Sequence, residues 1–119
     1  MDRRYGDMRN KYKVRLGAAG ESFSADILKS MGYVILAKNF RCYAGEIDII
    51  ARKGKEIHFI EVKTRVGSEN GMPEEAVTEK KLKAMRAAAN YYMLRLGSEG
   101  YEVVFDVFAI EVCYIENCA

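Results

Sequence analysis

Two runs of mostly β-branched apolar residues, separated by Gly54-Lys55, occupy residues 45–63. Runs of this kind joined by a two-residue turn are typical of a β-hairpin. A glycine at the first central position favours a type II′ turn. With that turn Lys53 faces Glu56, and the register of every further pair in the hairpin follows.

Longer periodicities predict the elements on both sides of the hairpin. Apolar residues three or four positions apart predict helices over residues 16–31 and from the N-cap candidate Thr78 to about residue 96. Strands are predicted for residues 33–40 and 101–115. This order predicts an α/β domain with a mixed β-sheet flanked by helices. Apolar residues on both faces of the third strand indicate that it is central.

The predicted register places Asp48 directly opposite Glu61, with the two Cβ atoms ~5 Å apart. Like charges at that distance repel, and the isoleucines around them imply burial, which makes unpaired charge more costly. A divalent cation would remove the conflict, and oxygen ligands beside the ammonium of Lys63 favour Mg²⁺ or Mn²⁺. The alternative is an ordinary ladder of ion pairs in which Glu46 faces Lys63, but that ladder leaves Asp48 against Glu61.

These residues resemble a known nuclease signature. Asp48 followed by Glu61-Val62-Lys63 resembles the PD-(D/E)-x-K motif, and residues 45–51 and 59–65 are similar to the YraN-like family. Further matches, which extend the resemblance over roughly residues 16–110, are Gly17-x-x-Gly20-Glu21, Gly32-Tyr33, Asn39-Phe40-Arg41, Ala76-Val77-Thr78 and Phe105-Asp106-Val107. The resemblance implies a restriction-endonuclease-like core, similar to that of archaeal Holliday-junction resolvases.

The resemblance also implies roles in a metal-dependent DNA nuclease. Asp48 and Glu61 would bind Mg²⁺ or Mn²⁺, with the main-chain carbonyl of Val62 as a further ligand. The ion would polarise the scissile phosphate and lower the pKa of the attacking water. Lys63 would orient that water or offset charge on the phosphate. Glu21 would assist the metal through water, and its alternative role is that of a first-turn carboxylate at a helix dipole.

Two further acids and the single histidine have less direct interpretations. Glu46 either belongs to the metal site or tunes Lys63. Asp106 matches a position of the family, but a structural hydrogen bond is the favoured role for an acid among apolar neighbours. His58 points away from the Asp48 side of the hairpin by strand parity and is interpreted as structural.

Basic residues are concentrated near the N-terminus and around the predicted site. Residues 1–15 hold six basic and two acidic residues, a balance of +4, against +2 for the whole chain. Such an arm suits a polyanion, although a solvated terminal extension fits equally well. The candidate phosphate contacts in the body of the chain are Arg41, Arg65, Lys80, Lys81 and Lys83. A solvated helix face is the usual explanation for such a run of lysines.

The overall composition, with 50% hydrophobic and 30% charged residues in 119, is that of an ordinary soluble protein. We predict a basic arm over residues 1–15 and one domain over residues 16–119. No apolar run approaches the ~20 residues of a membrane helix, and no hydrophobic signal region is present. Three cysteines without metal-site spacing fit reduced thiols. These features predict a cytoplasmic location without membrane contact.

The nuclease interpretation has two competitors. One is a module of the same fold that binds branched or single-stranded DNA without cutting it. The other is a scaffold domain whose acidic cluster is only a network of salt bridges. The resemblance to resolvases, which are commonly dimers, makes a homodimer an open alternative, although no residue requires one.

Overall fold

The structure is a computed structural model that describes residues 19–66, 77–97, 99–112 and 115–117. The predicted basic arm, residues 1–15, lies outside the described residues. In chain order the elements of the described part are α1 (19–30), β1 (Val34–Cys42), β2 (Gly45–Lys53), β3 (Glu56–Val66), α2 (Glu79–Leu96) and β4 (Glu102–Val112). Neither helix, within the part of the chain that is described, is long and apolar enough to cross a membrane.

The four strands form one mixed sheet in the order β1-β2-β3-β4. The β1–β2 and β2–β3 pairs are antiparallel, whereas β3 and β4 are parallel. A parallel pair requires a crossover connection, and α2 lies between β3 and β4 in the chain. The predicted α/β architecture is therefore confirmed, and β3 is central because it has a strand on either side.

The hairpin of β2 and β3 has the predicted turn. Lys53 pairs with Glu56, so two residues form the loop. Gly54 has a φ of +59°, and Lys55 does not share a positive φ. A positive φ at the first central position alone distinguishes type II′ from type I′. The turn therefore fixes the hairpin register from its closed end.

The ends of two further elements can be traced to single residues. Thr78 is the N-cap of α2, where its Oγ1 accepts a hydrogen bond of 3.2 Å from the N–H of Lys81, and Gly97 ends the helix with a φ of +77°. Both limits are as predicted. β1 extends two residues beyond its predicted end, because Cys42 still pairs with Gly45 across a tight turn.

The two helices pack on opposite faces of the sheet. On one face, the cluster of buried residues that includes α2 consists of Ile47, Ile50, Ile57, Phe59, Ala88, Ala89 and Met93. On the other face, the cluster that includes α1 consists of Ala25, Leu28, Ile49, Ala51, Ile60 and Val62. The sheet is thus covered on both faces, which explains why β2 and β3 read as nearly continuous apolar runs.

The pleat of β2 is interrupted in its first half. Residues two apart on a regular strand share a face. Ile47, however, packs on the α2 side of the sheet, whereas Ile49 packs on the α1 side. Asp48 lies between these two residues of β2. On β1, the residue between their pairing partners is Asn39, which has a positive φ of 52°. Regular pairing with β3 runs from Lys53 only as far as Ile49. The interruption therefore coincides with the residue on which the functional prediction depends.

Candidate metal-binding and phosphate-binding site

Asp48 lies where the regular pairing of β2 with β3 stops. Its Oδ2 accepts a hydrogen bond of 2.8 Å from the backbone N–H of Val62. The side chain thereby satisfies a strand N–H that has lost its place in the ladder. The predicted register does not continue past this point, so the expected opposition of Glu46 and Lys63 is wrong. The pairing of β2 with β3 stops at Ile49, next to Asp48. At Asp48 the side-chain carboxylate accepts the hydrogen bond that a backbone carbonyl would accept in a regular ladder.

The carboxyl groups of Asp48 and Glu61 nevertheless lie close together, near enough for Glu61 to raise the pKa of Asp48. Glu61 is buried, with only 4% of its surface exposed. Burial raises the pKa of Asp48 to about 6, against the opposing effect of the Val62 N–H, and the charges of Glu61 and Glu21 add to the increase. The electrostatic conflict expected from the sequence is therefore present in the fold.

Two ammonium groups contact the same oxygen of Glu61. Lys63 Nζ lies 3.5 Å from Glu61 Oε1. Lys81, from α2, makes a closer ion pair with that oxygen. Burial by itself would lower the pKa of Lys81, but the pairing with Glu61 outweighs it, and the pKa is raised. The site therefore combines buried negative charge with two lysines from different elements.

A glycine at the start of β2 allows α2 to approach the acidic pair. A Cβ added to Gly45 would lie 3.3 Å from both the Cβ and the carbonyl oxygen of Ala84. Such distances are tighter than ordinary van der Waals contact, so a larger residue would push the helix away. Lys81 lies three positions before Ala84 on the same side of α2 and is thereby held over Glu61.

On the opposite face, α1 approaches β3 more closely still. A Cβ on Gly20 would overlap the side-chain oxygen of Thr64, which directly follows Lys63 in β3. That Thr64 oxygen is buried and has no hydrogen-bond partner among the described residues. The contact places the next residue, Glu21, near enough for its charge to raise the pKa of Asp48, an effect that ranks below burial and the neighbouring Glu61.

The acidic pair opens into a small cavity of about 220 Å³, which is lined by Glu46, Asp48, Glu61, Lys81, Ala84 and Met85. No group of three or more acidic, histidine or cysteine side chains in the described ranges could enclose a metal ion. Two carboxylates and the adjacent carbonyl of Val62 are an open set of oxygen donors instead. This set fits Mg²⁺, which keeps several waters and commonly binds through one or two carboxylates plus substrate phosphates.

The remaining predicted residues lie around this cavity. Glu46 pairs with Arg41, with 3.5 Å between Oε1 and Nε, and both side chains are largely exposed. Glu46 thus has an ion-pair partner across β1 and β2, and its tuning of Lys63 stays a prediction. Lys80 and Lys83 are exposed on α2, while Arg65 is partly buried on β3 and has interactions of its own.

His58 and Asp106 lie away from the acidic pair. The two ring nitrogens of His58 contact Asp106 at 2.6 Å and Glu56 at 3.1 Å. The buried imidazole also packs against the Tyr33 ring in a T-shaped arrangement, at 5.0 Å between ring centroids. Asp106 is on β4, so its contact with His58 ties the parallel strands together. This arrangement agrees with the structural hydrogen bond expected for Asp106.

The ion pair between Lys81 and Glu61 is not among the contacts predicted from the sequence. A signal for it exists in the helix periodicity. Lys81 precedes the buried Met85 by four residues and Ala88 by seven, which puts it on the core-facing stripe of α2. Lys80 and Lys83 lie off that stripe. A lysine on the apolar side of a helix requires a buried partner.

The fold and cavity define an α/β protein with a pocket lined by three acids and Lys81, and the architecture is compatible with a restriction-endonuclease-like core. A family model described as "Uncharacterised protein family UPF0102" matches residues 20–110, which include every residue of the pocket. The chain belongs to this family, so the predicted YraN-like membership is confirmed.

Individual relatives cover most of the chain. A UPF0102 protein of Symbiobacterium thermophilum is 46% identical over 97 residues, which are 82% of each chain. A relative from Chlorobium phaeobacteroides is 50% identical over 97 residues, 82% of this chain and 76% of its own. One from Clostridium perfringens is 46% identical over 100 residues, 84% of this chain and 82% of its own.

Proposed function

We propose that the protein is a metal-dependent DNA nuclease in which Asp48 and Glu61 bind Mg²⁺ or Mn²⁺. The supporting observation is the pair of partly to fully buried carboxylates at the point where β2 leaves its regular pairing with β3. Burial and like charge raise the pKa of Asp48 to about 6. Proteins keep such an unfavourable arrangement chiefly at functional sites, where a bound cation or a proton removes the conflict.

The chain's own groups have distinct tasks in this proposal. The N–H of Val62 fixes the orientation of Asp48, and the carbonyl of Val62 completes the oxygen donors. Lys63, already within 3.5 Å of Glu61, donates to the scissile phosphate or to the attacking water. Glu21 approaches from the α1 side and acts through water. When bound, the ion polarises the phosphate and makes water a better nucleophile.

DNA is the proposed substrate because exposed basic side chains lie on α2, which lines the cavity, and next to Glu46 on its other side. Lys80 and Lys83 are exposed on the first turns of α2, and Arg41 lies at the opposite rim beside Glu46. Contacts with phosphates release counterions, so binding should weaken steeply as salt increases. Branched or structured DNA is the proposed form, by the likeness to resolvases. A cytoplasmic location is proposed with it.

Cleavage assays on linear, flapped and four-way DNA in Mg²⁺ or Mn²⁺ test the proposal. We expect the wild-type chain to cut at least one of these substrates, EDTA to stop the reaction, and Asp48→Asn and Lys63→Ala to abolish it. Equal cleavage by Lys63→Ala would show that the activity comes from a contaminant. Binding of DNA without cleavage by the wild-type chain would instead support the non-cleaving module.

A scaffold domain is the second candidate. The ion pairs of Glu61 with Lys63 and Lys81 favour it, because they neutralise the buried carboxylate with cations of the protein itself. Calorimetric titration with Mn²⁺ separates the two. A nuclease site gives saturable binding that Asp48→Asn removes, whereas a salt-bridge network gives no binding in either protein.

A further inference from the structure

Lys81 differs from its neighbouring lysines in where its side chain ends. It lies on the core-facing side of α2, and its ammonium group contacts the oxygen of Glu61 that Lys63 also approaches. Lys80 and Lys83, one and two positions away, are exposed. Lys81 also lines the cavity, whereas Lys63 does not.

We propose that Lys81 competes with the metal ion for Glu61 and thereby sets the metal affinity of the site. The inference rests on the proposed function, since it requires that Asp48 and Glu61 bind a divalent cation. One oxygen of Glu61 cannot bind the metal ion and keep its close ion pair with the Lys81 ammonium at the same time. Metal binding therefore requires that the ammonium of Lys81 withdraws, and the affinity is lower by the free energy of that withdrawal.

The charges of the site support this competition. Asp48, Glu61 and Glu21 supply three negative charges, and Lys63 and Lys81 supply two positive ones. A divalent ion added to all five groups would be repelled by two nearby ammonium groups. When one ammonium group moves away, three carboxylates and one ammonium group remain, and their net negative charge attracts the divalent ion. The site therefore accommodates the ion best when one ammonium leaves.

Lys81 rather than Lys63 is the group that can leave. Its side chain is 39% exposed and reaches the site from a helix on the rim of the cavity. The long stem of a lysine allows the ammonium to swing outward without moving α2. In the outward position it would meet the phosphate of an approaching substrate. Lys81 is thus a positioning residue whose ammonium pairs with Glu61 before the metal ion binds and with a substrate phosphate afterwards.

Calorimetric titration of the full chain with Mn²⁺, without DNA, tests the inference. We expect Lys81→Met to bind Mn²⁺ at least about tenfold more tightly than the wild-type chain, because a charge within ~4–6 Å alters an ionic equilibrium by one to three powers of ten. Lys81→Gln should show the same sign and retains a hydrogen-bond donor for Glu61 if Lys81→Met folds poorly. Lys83→Met is the matched control on the exposed side of α2, and Lys81→Arg is a second control that keeps the positive charge at position 81. Both should bind within about twofold of the wild type.

The outcomes separate this inference from the proposed function. Tighter binding confined to the variants that lose the Lys81 charge supports the competition. Equal or weaker binding by Lys81→Met and Lys81→Gln, with a normal wild-type titration, overturns the competition and leaves the metal site standing. Absence of Mn²⁺ binding in every protein, including the wild type, overturns the proposed function itself.

Discussion

Replacing Asp48 by asparagine should stabilise the protein when no divalent ion is present. The substitution removes a charge that burial and two neighbouring carboxylates disfavour, while the amide oxygen can still accept the hydrogen bond from Val62. The pKa of Asp48 rises from 3.8 to about 6, which corresponds to about 3 kcal/mol at 1.36 kcal/mol per pKa unit. Asp48 is partly exposed, so solvent screening reduces this to about 1 kcal/mol.

Thermal unfolding followed by circular dichroism measures the effect. In EDTA at neutral pH, we expect Asp48→Asn to unfold roughly 4 °C above the wild type, the change that about 1 kcal/mol produces in a domain of this size. Added Mn²⁺ should raise the midpoint of the wild type and leave that of Asp48→Asn unchanged. Asp26→Asn, at an exposed acid on α1, is the matched control and should change neither value.

The opposite result is that Asp48→Asn unfolds at or below the wild-type temperature in EDTA. That result would mean that the Asp48 carboxylate stabilises the fold, as it would in a satisfied salt-bridge network. A Mn²⁺ response of equal size in both proteins would refute the assignment of Asp48 as a ligand, whatever its effect on stability.

Three other measurements follow from the same contacts. Because the folded-state pKa of Asp48 is raised above 3.8, the folded chain binds this proton more tightly. The wild type should therefore lose stability relative to Asp48→Asn as the pH rises from about 4 to about 6, and its Mn²⁺ response should weaken progressively as the pH falls below about 6, where protons compete with the ion. Gly20→Ala should cost about 2 kcal/mol or more in urea unfolding, because its Cβ overlaps the Thr64 oxygen; adding Thr64→Ala should recover part of the loss, and no recovery would contradict the overlap. Lys83→Met and Lys80→Met should each reduce the slope of log affinity for DNA against log salt by about one; an unchanged slope would remove that lysine from the DNA contacts.

Local patterns in the sequence were sufficient for most of the fold. Gly54-Lys55 determined the hairpin turn and its register, because two residues suffice to set the hand and length of a type II′ loop. Thr78 and Gly97 marked the ends of α2 through the hydrogen-bonding needs of helix ends. The central position of β3 followed from apolar residues on both of its faces, because a strand carries this pattern when other elements cover both faces of the sheet.

The details of the cavity could not be predicted in the same way. The interrupted pleat at Asp48 depends on a side chain that replaces a backbone acceptor, and a two-residue periodicity carries no sign of that exchange. The ion pair of Lys81 with Glu61 depends on how closely α2 approaches Gly45, a tertiary contact between residues far apart in the chain. Sequence alone thus predicts that Asp48 and Glu61 are brought together beside Lys63, but not that Lys81 joins them.

If Asp48 and Glu61 share a divalent ion, anomalous scattering from a crystal soaked in Mn²⁺ will locate that ion without any assumption about activity. We expect one peak between the two carboxyl groups, about 2 Å from an oxygen of each, with the Lys81 ammonium moved away from Glu61. A crystal saturated with Mn²⁺ that shows no peak there, and in which Lys81 and Lys63 still contact Glu61, would contradict a shared ion.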